Sequence, residues 1–500
     1  MSTSYTPLHE SPPPSLDSLH DWANTHGVVR HASLRPVKML DSTGWRMTAD
    51  QDVRVGTAVC TVPKHAIFSY RTASFSQLVP LDLEQSTSSD VILHLAACLL
   101  HELRLGVQSD WYGYLQILPR ETVMVPTFWG DSRLGGEDGG RALEWLKGTE
   151  AERELNRKEG EGLSLGNMER FYTDISPHFP STTNHPSRSP FLSYVYAISL
   201  IMTRAVVVDA YHGIAIVPFC DLLNHSSIAH TSFCCDAFVC PTCGSLTHCE
   251  HDTPAIERLA HLPRNFVETM EEKSNVVDMR VERAINAGEE VFMSYDENVG
   301  DGKLLVEWGF VERKGGGDGL VWSPRELLDG TTARAYMMLI NSDHIDNASQ
   351  YTQNAATHHH LIAQPNPEQN PLLNVNPKGE ASIYLITAAY LQLQSEADDL
   401  RDVDEMGEEI VTIVEEVVQK SVEDESTLGP LAKALTSRIV NLIDRRLARM
   451  YEAETTLGEL VNLHANLPLT ATLERMAMAL AIDERCVLEG ALTRWRALLG

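Results

Sequence analysis

A dense group of cysteine and histidine residues lies near the middle of this 500-residue chain. Five of its nine cysteines fall within residues 234–249, and two histidines lie beside them. Thiolates and imidazoles are ligands that zinc prefers, and Cys240-x-x-Cys243-Gly is typical of a knuckle that holds one tetrahedral ion. Four such ligands leave no open position for a substrate, so we predict structural zinc. The predicted ligands are Cys240, Cys243, Cys249 and His251, and the alternatives for the last two are Cys234, Cys235 and His248.

Three separate segments place polar residues directly after apolar runs. They are residues 213–226 (GIAIVPFCDLLNHS), 287–295 (AGEEVFMSY) and 303–310 (KLLVEWGF). The first is a short strand pattern that ends in a cluster of Asp221, Asn224 and His225, and the second ends on Tyr295. Each segment alone is typical of a turn or of packing. Their order and spacing along one chain indicate a functional site.

Several common chemistries are excluded by missing motifs. The chain has neither G-x-x-x-x-G-K-[ST] nor G-x-G-x-x-G after a strand, so no phosphate-binding loop or Rossmann dinucleotide site is indicated. H-E-x-x-H and G-x-S-x-G are also absent, which argues against metalloproteases and hydrolases. The run His358 to His360 lies in an Asn/Gln/Pro-rich segment, and we expect it to be solvated rather than bound to metal.

The overall charge is strongly acidic. Forty Lys and Arg residues against 69 Asp and Glu residues give a net charge of −29, which repels polyanions and argues against direct nucleic-acid binding. A basic protein partner fits this charge better.

The most apolar stretch, residues 194–208, is interrupted by Thr203 and Arg204, so we expect no membrane span, and we find no secretory signal. We therefore expect an intracellular protein with its thiols reduced.

The elements that must position these residues change in character along the chain. Residues 1–20 contain a Pro-rich, Ser/Thr-rich stretch and are predicted to be a disordered tail. Short strand patterns are scattered between residues 53 and 295, and residues 191–208 form a long apolar helix pattern. From residue 320 onward, apolar residues recur at helical spacing, which predicts a separate all-α domain over residues 320–500.

Together these segments resemble the SET-domain protein methyltransferases, in the branch that contains the Rubisco large-subunit and ribosomal-protein lysine methyltransferases. The resemblance covers about three hundred residues. Besides the three polar segments, the residues that carry it are Trp22, Gly27, residues 44–49, Val62, Pro63, Trp111, Tyr114, Leu118, Pro119, Pro126, Trp129, residues 146–149 and residues 199–205.

The resemblance implies an α+β fold. A SET domain of short sheets would span residues 21–312, with a helical insertion over about 126–205 and the Cys/His-rich insertion over about 232–262. The all-α domain over residues 320–500 is similar to the substrate-binding domain of that branch, although its motifs are much less specific.

The resemblance also implies the cofactor S-adenosylmethionine, a zwitterion with an added sulfonium charge. Its site needs a cation for the carboxylate and acceptors for the amine. Arg204 matches the family arginine that pairs with the carboxylate, and Asp221 is expected to orient the turn that follows. Asn224 and His225 match a pair whose backbone binds adenine and whose Asn side chain holds the methionyl end. The full predicted cofactor set is Arg204, Asp221, Asn224, His225, Phe310, Gly44 and Arg46.

Tyr295 matches the family tyrosine that orients the acceptor amine, so it is the predicted catalytic residue. Methyl transfer needs a neutral amine, whereas a free lysine has a pKa of about 10.4. A nearby sulfonium and a narrow, dry channel both lower that pKa, so no strong base is required. Alignment of the amine with the methyl group is then the main catalytic device.

One departure from the family pattern concerns the cofactor loop. That loop usually reads Gly-x-Gly, but Gly44-Trp45-Arg46 lacks the second glycine, the residue type that lets a backbone approach a ligand closely. A catalytically inactive SET-like interaction protein is therefore one alternative. A protein-histidine methyltransferase on the same scaffold is the other.

The sequence therefore predicts an S-adenosylmethionine-dependent protein-lysine N-methyltransferase that acts on a basic non-histone protein, such as a ribosomal protein. We expect a monomer in the nucleus, the cytoplasm or both.

Overall fold

The structure, a computed structural model, describes residues 16–39, 44–83, 85–179, 189–253, 258–296, 299–313, 319–354, 361–363, 372–396, 402–422 and 427–500. The chain divides into two compact units. The first unit comprises Met1–Thr127, Arg157–Glu297 and Glu307–Gly309, and the second comprises Phe128–Asn156, Asn298–Val306 and Phe310–Gly500. The run His358 to His360 lies outside the described residues.

In the described part of the chain, most of the short strands lie before residue 300, and helices dominate after it. The strands are β1 (Val29–Arg30), β2 (Leu34–Lys38), β3 (Trp45–Ala49), β4 (Ala58–Pro63), β5 (Phe68–Ser69), β6 (Val206–Val207), β7 (Ile214–Ile216), β8 (Asn224–His225), β9 (Thr231–Cys235), β10 (Val276–Val281), β11 (Phe292–Met293), β12 (Leu320–Val321), β13 (Ile362–Ala363), β14 (Asn374–Val375) and β15 (Ala381–Ser382). The helices are α1 (Leu16–Thr25), α2 (Ser88–Leu105), α3 (Tyr112–Leu115), α4 (Pro126–Trp129), α5 (Gly136–Trp145), α6 (Glu150–Gly160), α7 (Leu165–Ile175), α8 (Pro190–Arg204), α9 (Arg264–Thr269), α10 (Asp301–Trp308), α11 (Pro324–Leu327), α12 (Gly330–Ile340), α13 (Asp343–Asn354), α14 (Ile383–Glu396), α15 (Val403–Val422), α16 (Pro430–Arg449), α17 (Leu457–Asn466) and α18 (Thr472–Ala497).

Three small sheets form the β part of the first unit. The largest has the strand order β1-β4-β10-β9-β11-β8, the second is the pair β2-β3, and the third has the order β5-β7-β6. β11 runs parallel to β8, with Phe292 opposite Asn224 and Met293 opposite His225. This register brings the second polar segment beside the first, although 66 residues separate Asn224 from Glu290.

The helix that carries Arg204 has clear start and stop signals. Ser189 accepts a hydrogen bond from the backbone N–H of Leu192, and Pro190 occupies the first turn, where its missing N–H costs nothing. Helix α8 packs against α2 through an almost continuous run of buried side chains. It ends at Arg204, because Ala205 adopts an extended conformation. The guanidinium is thereby presented at the end of a rigid helix.

The described part of the predicted tail is not disordered. Residues 16–20 belong to helix α1, so the predicted tail overlaps the start of this helix, and its remaining residues lie outside the described part of the chain. The physical reason is apolar spacing, since Leu19, Trp22 and Ala23 lie on one face of α1 and are buried. Helix α1 packs against α3.

Gly113 allows the close approach of α3 to α1, and it offers a test of this packing. A Cβ atom at Gly113 would lie 2.5 Å from the Ser18 carbonyl oxygen and 2.6 Å from the Trp22 Cβ. We therefore expect Gly113→Ala to lower the free energy of unfolding by about 2 kcal/mol, because both contacts involve atoms that cannot move aside. The control is Gly166→Ala in α7, where nothing lies within 4 Å and the helix should gain slightly. Denaturant unfolding of both variants measures the difference, and equal stability would contradict the packing.

The second unit is mainly helical. Helix α18 packs against α5, α16 and α17, and α14 packs against α12 and α16. A four-stranded sheet with the order β12-β14-β15-β13 accompanies these helices. The sequence places residues 128–156 in the helical insertion of the first domain, whereas their contacts group them with the C-terminal helices.

A buried ion pair shows why residues 128–156 group in this way. The Arg446 guanidinium in α16 lies 2.5 Å from Glu150 Oε1, and it donates to the carbonyl oxygens of Gly148 and Val321. Glu150 Oε1 also accepts from the backbone N–H of Val321. Both charges are almost fully buried, so removal of Glu150 would leave the Arg446 guanidinium as an unpaired charge in the interior, whereas Glu150 also pairs with Arg153. Among the described helices, none is long and apolar enough to cross a membrane.

Candidate active site

A cavity of about 400 Å³ opens in the first unit where α8 ends. Its volume lies in the range of ligand pockets, roughly 300–1,000 Å³. Apolar side chains form much of the wall, and charged and hydroxyl groups are set among them. The lining residues are Thr203, Arg204, Ala205, Val206, Val207, Val217, Cys220, Asp221, Phe233, Met293, Ser294, Tyr295, Asp296, Glu307 and Trp308.

The charged part of the wall is an ion pair between Arg204 and Asp221. Arg204 Nη1 lies 2.9 Å from Asp221 Oδ2 and 2.9 Å from the Asp221 carbonyl oxygen. Tyr114 donates its hydroxyl proton to the same Oδ2 atom over 2.8 Å. Two buried atoms of the pair, Arg204 Nε and Asp221 Oδ1, have no hydrogen-bond partner among the described residues. A polar ligand in the cavity could satisfy such atoms.

Burial dominates the electrostatics of this wall. It raises the pKa of Asp221 above its usual value, against the opposing effects of Arg204 and the Tyr114 hydroxyl. Burial also raises the pKa of Tyr114 well above its usual value, and the Asp221 charge adds to that shift. The two neighbours that donate hydrogen bonds to Asp221 favour its charged form.

A strained backbone position sets the turn that carries Asp221. Phe219 is buried and adopts φ 69°, a left-handed conformation that bulky residues rarely take. The chain leaves β7 through this residue and enters the short turn Cys220–Leu222. Such conformations cost roughly 1–3 kcal/mol and persist where the surrounding structure fixes them. Here this backbone conformation begins the turn in which the Asp221 side chain meets Arg204 and Tyr114.

Tyr295 contacts the residue that directly follows this turn. Its hydroxyl donates to the Leu223 carbonyl oxygen over 3.1 Å, and its backbone N–H donates to His225 Nδ1 over 3.1 Å. The Tyr295 ring packs against the rings of His225 and Trp308, with centroid separations of 5.3 and 5.5 Å. Burial raises the pKa of Tyr295 to about 12, so the phenol stays protonated near neutral pH.

Asn224 lies in β8, the strand at one edge of the six-stranded sheet. Its side-chain Nδ2 donates to Glu290 Oε1 over 2.7 Å, and Arg46 Nη1 lies 3.7 Å from Glu290 Oε2. Glu290 therefore joins two predicted cofactor residues, Asn224 and Arg46. The sequence assigned no role to Glu290, although it lies in the segment that ends on Tyr295, and its alignment with Asn224 follows only from the β8–β11 register.

The predicted residues thus divide into groups. Arg204, Asp221 and Tyr295 line one cavity, and His225 contacts Tyr295 behind its wall. Gly44 immediately precedes β3, which carries Arg46 with its side chain 45% exposed. Phe310 is half-buried and begins the last segment of the second unit, so its role in the cofactor pocket stays a prediction.

The Cys/His segment forms a second, separate cluster in the first unit. One ligand atom from each of Cys240, Cys243, Cys249 and His251 lies within 4.8 Å of every other. These are the four predicted ligands. Two of the alternatives contact other groups: Cys235 Sγ donates to the Val208 carbonyl oxygen, and His248 lies 3.3 Å from Asp252.

The loop around this cluster is supported by an arginine and by the sheet. Arg258 Nε lies 2.7 Å from Asp252 Oδ1, and its guanidinium also donates to the carbonyl oxygens of Phe238, Leu246 and Thr247. Asp252 in turn accepts from the backbone N–H of Cys249. The Asn275 side chain donates to the Gly244 carbonyl oxygen, next to the knuckle. The four ligand side chains are therefore held on a closed, hydrogen-bonded loop.

Comparison with known proteins adds to this geometry. No protein-family profile matches the chain. The chain is 23% identical over 302 residues to a chloroplastic [fructose-bisphosphate aldolase]-lysine N-methyltransferase of Arabidopsis thaliana, which covers 60% of this chain and 52% of the relative. It is 26% identical over 225 residues to ribosomal lysine N-methyltransferase 3 of Saccharomyces cerevisiae, which covers 42% of this chain and 39% of the relative. The matches span about half the length of these curated relatives, or less.

Solved structures match almost the whole chain. One is described as Rubisco LSMT bound to AdoMet. The match covers 98% of this chain and 92% of the matched chain, with a TM-score of 0.55 and 16% identity. A structure of Rubisco LSMT bound to sinefungin and monomethyllysine covers 97% and 92%, with a TM-score of 0.53 and 17% identity. The predicted α+β class and the predicted resemblance are confirmed. The chain therefore has the fold of the SET-domain protein methyltransferases, in the form seen in Rubisco LSMT.

Proposed function

We propose that the chain is an S-adenosylmethionine-dependent protein-lysine N-methyltransferase that acts on a basic non-histone protein. One observation carries the proposal: Arg204 and Asp221, together with Tyr295 from more than 70 residues later in the chain, line one ligand-sized cavity. The fold of the solved structures and the names of the relatives, all lysine N-methyltransferases, support the same activity.

The residues present fit the cofactor. Arg204 would meet the carboxylate through its Nε face, which has no hydrogen-bond partner among the described residues. Asp221 Oδ1, also without such a partner, is an acceptor suited to a cationic group. Asn224 is not among the lining residues; the resemblance assigns it to the methionyl end, and its side-chain Nδ2 donates to Glu290. When bound, S-adenosylmethionine supplies a methyl group activated by the sulfonium charge.

Tyr295 is the residue that would orient the acceptor amine. Its hydroxyl proton is committed to the Leu223 carbonyl, so the lone pairs of the phenol oxygen point elsewhere and can accept a hydrogen bond from an amine N–H. Because burial raises the pKa of Tyr295 to about 12, the phenol stays protonated at neutral pH and does not serve as a general base. We therefore propose that Tyr295 positions the acceptor amine, because correct orientation of the reacting groups by itself increases the reaction rate greatly.

The charge of the protein favours a basic substrate. The net charge is −29, and the cavity lining includes Asp296 and Glu307, of which Glu307 pairs with Arg157 and Lys158. Opposite charge on a substrate would speed its encounter with the site, and added salt would weaken that effect. A ribosomal protein fits this description, and one relative is named for a ribosomal substrate.

A labelling experiment tests the proposed function. Purified protein is incubated with isotopically labelled S-adenosylmethionine and a cell lysate, and labelled proteins are analysed by mass spectrometry. We expect label on a lysine of a basic protein. Label on a histidine would instead support the alternative of a protein-histidine methyltransferase. The absence of any transfer by a folded protein would favour the inactive interaction protein.

We also propose that Cys240, Cys243, Cys249 and His251 hold one structural zinc ion. A tetrahedral shell with zinc–sulfur bonds of about 2.3 Å places its ligands about 3.7 Å apart, so the observed cluster needs only a small contraction. Three thiolates and one imidazole suit zinc better than magnesium or calcium, which prefer oxygen.

Metal analysis tests this site directly. We expect about one zinc per chain in the purified protein, and we expect Cys243→Ser to lose it and to lower the melting temperature. The matched control is Cys486→Ser, since Cys486 is also an exposed free thiol but lies in α18, far in sequence from the cluster. Full zinc content in Cys243→Ser would rule out this ligand set.

A further inference from the structure

Tyr114 is fixed in the interior of the first unit. It lies in helix α3, and its side chain is fully buried. Its ring lies 5.8 Å from the ring of Trp22 in helix α1, and the neighbouring Gly113 brings the two helices into close contact. The ring of Tyr114 therefore has one position, and its hydroxyl can point in only one direction.

That direction is toward the ion pair of the cavity. The Tyr114 hydroxyl donates over 2.8 Å to Asp221 Oδ2, the same atom that accepts from Arg204 Nη1 over 2.9 Å. A phenol, a carboxylate and a guanidinium thus form a chain of hydrogen bonds. Tyr114 is the only member of this chain that is absent from the cavity lining.

The hydroxyl has a physical task in this chain. Asp221 Oδ1 has no hydrogen-bond partner among the described residues, so Oδ2 makes both contacts that fix the carboxylate. Without the Tyr114 hydroxyl, Arg204 Nη1 would be the single contact left on Oδ2 among the described residues, so the carboxylate plane would be held less firmly. The guanidinium would then keep its bond to the Asp221 carbonyl oxygen but lose the fixed carboxylate that sets its orientation. Besides Tyr114, the titratable groups that interact electrostatically with Asp221 are Arg204, Tyr295 and Cys220.

We propose that Tyr114 is a positioning residue, which acts through Asp221 to hold the Arg204 guanidinium in the orientation that binds the cofactor carboxylate. The inference rests on the proposed function, because it concerns the affinity of the same cavity for S-adenosylmethionine. Tyr114 itself does not touch the cofactor. Its hydroxyl fixes the orientation of the cation in advance, so that binding does not have to order it.

The variant Tyr114→Phe removes only the hydroxyl and keeps the ring packed against Trp22. In the full chain, we expect the dissociation constant of S-adenosylmethionine, measured by calorimetry, to rise about tenfold. The kcat at saturating cofactor should change less than threefold, since Tyr295 is untouched. A rise in dissociation constant of less than twofold would overturn the inference.

Tyr194→Phe is the matched control. Tyr194 lies in α8, the helix that ends on Arg204, and its fully buried hydroxyl donates to the Leu93 carbonyl oxygen over 2.8 Å. It should lower the melting temperature about as much as Tyr114→Phe and leave the dissociation constant unchanged. An equal loss of affinity in both variants would show a general structural effect and would overturn the inference.

A double-mutant cycle with Asp221→Asn gives a second, independent readout. Because Tyr114 acts through Asp221, its loss should add little once Asp221→Asn has weakened cofactor binding. Multiplicative losses would contradict the inference. If Tyr114→Phe does not fold, Asp221→Asn alone should still weaken binding at least tenfold, and an unchanged constant would overturn the inference. No binding by the wild-type protein would instead refute the proposed function.

Discussion

Tyr295→Phe is expected to lower the rate of methyl transfer about a thousandfold while S-adenosylmethionine still binds. The phenol oxygen that would orient the acceptor amine is removed, and positioning of this kind supplies a large share of catalysis. The packing of the ring on His225 and Trp308 is kept, so the wall of the cavity should hold its shape. Single-turnover transfer to a substrate identified by labelling, together with calorimetric cofactor binding, separates the two effects.

Tyr196→Phe is the control for this prediction. Tyr196 is also buried, and its hydroxyl donates to the Pro119 carbonyl oxygen over 2.5 Å, but it does not line the cavity. Its removal should leave the rate of transfer within about twofold of the wild-type rate. Full activity in Tyr295→Phe would remove the phenol from the mechanism.

Arg204→Lys is expected to weaken the binding of S-adenosylmethionine about a hundredfold. Lysine keeps the positive charge, so Asp221 is not left as an isolated buried anion, but it lacks the planar fork that can contact two groups at once. Arg204 uses one edge of that fork for Asp221 and presents Nε without a partner among the described residues. A lysine could serve Asp221 or the cofactor, but not both with good geometry.

Arg35→Lys serves as the control for Arg204→Lys. Arg35 pairs with Asp50 on the surface of the first unit, with its side chain 64% exposed. Surface pairs of this kind contribute little, so the substitution should change neither cofactor affinity nor stability by a measurable amount. Wild-type affinity in Arg204→Lys would show that the guanidinium does not bind the cofactor.

The resemblance to the SET-domain methyltransferases, which rests on short local motifs, predicted the fold class and the group of residues at the cavity. The apolar helix that ends on Arg204 and the short strand that ends two residues before Tyr295 are local features, and polar residues at or just beyond their ends carry the motifs. The four residues of the Cys/His cluster were also predictable, because the knuckle and the two residues that follow it lie within twelve residues of one another, from Cys240 to His251.

Contacts between distant segments could not be predicted. Nothing in the segment around Tyr114 indicates that its hydroxyl meets Asp221, which lies 107 residues later. The pairing of Glu290 with Asn224 depends on the register of two very short strands. Apolar periodicity shows which face of a helix is buried but not what covers it, so the grouping of residues 128–156 with the C-terminal helices was also missed.

Calorimetric titration of the purified, folded full-length chain with S-adenosylmethionine tests the account most directly. We predict one cofactor bound per chain, with micromolar or tighter affinity and a large loss of affinity in Arg204→Lys. If the folded protein releases or absorbs no heat of binding at millimolar cofactor, and equilibrium dialysis with labelled cofactor also detects no complex, the cavity beside Tyr295 is not a cofactor site.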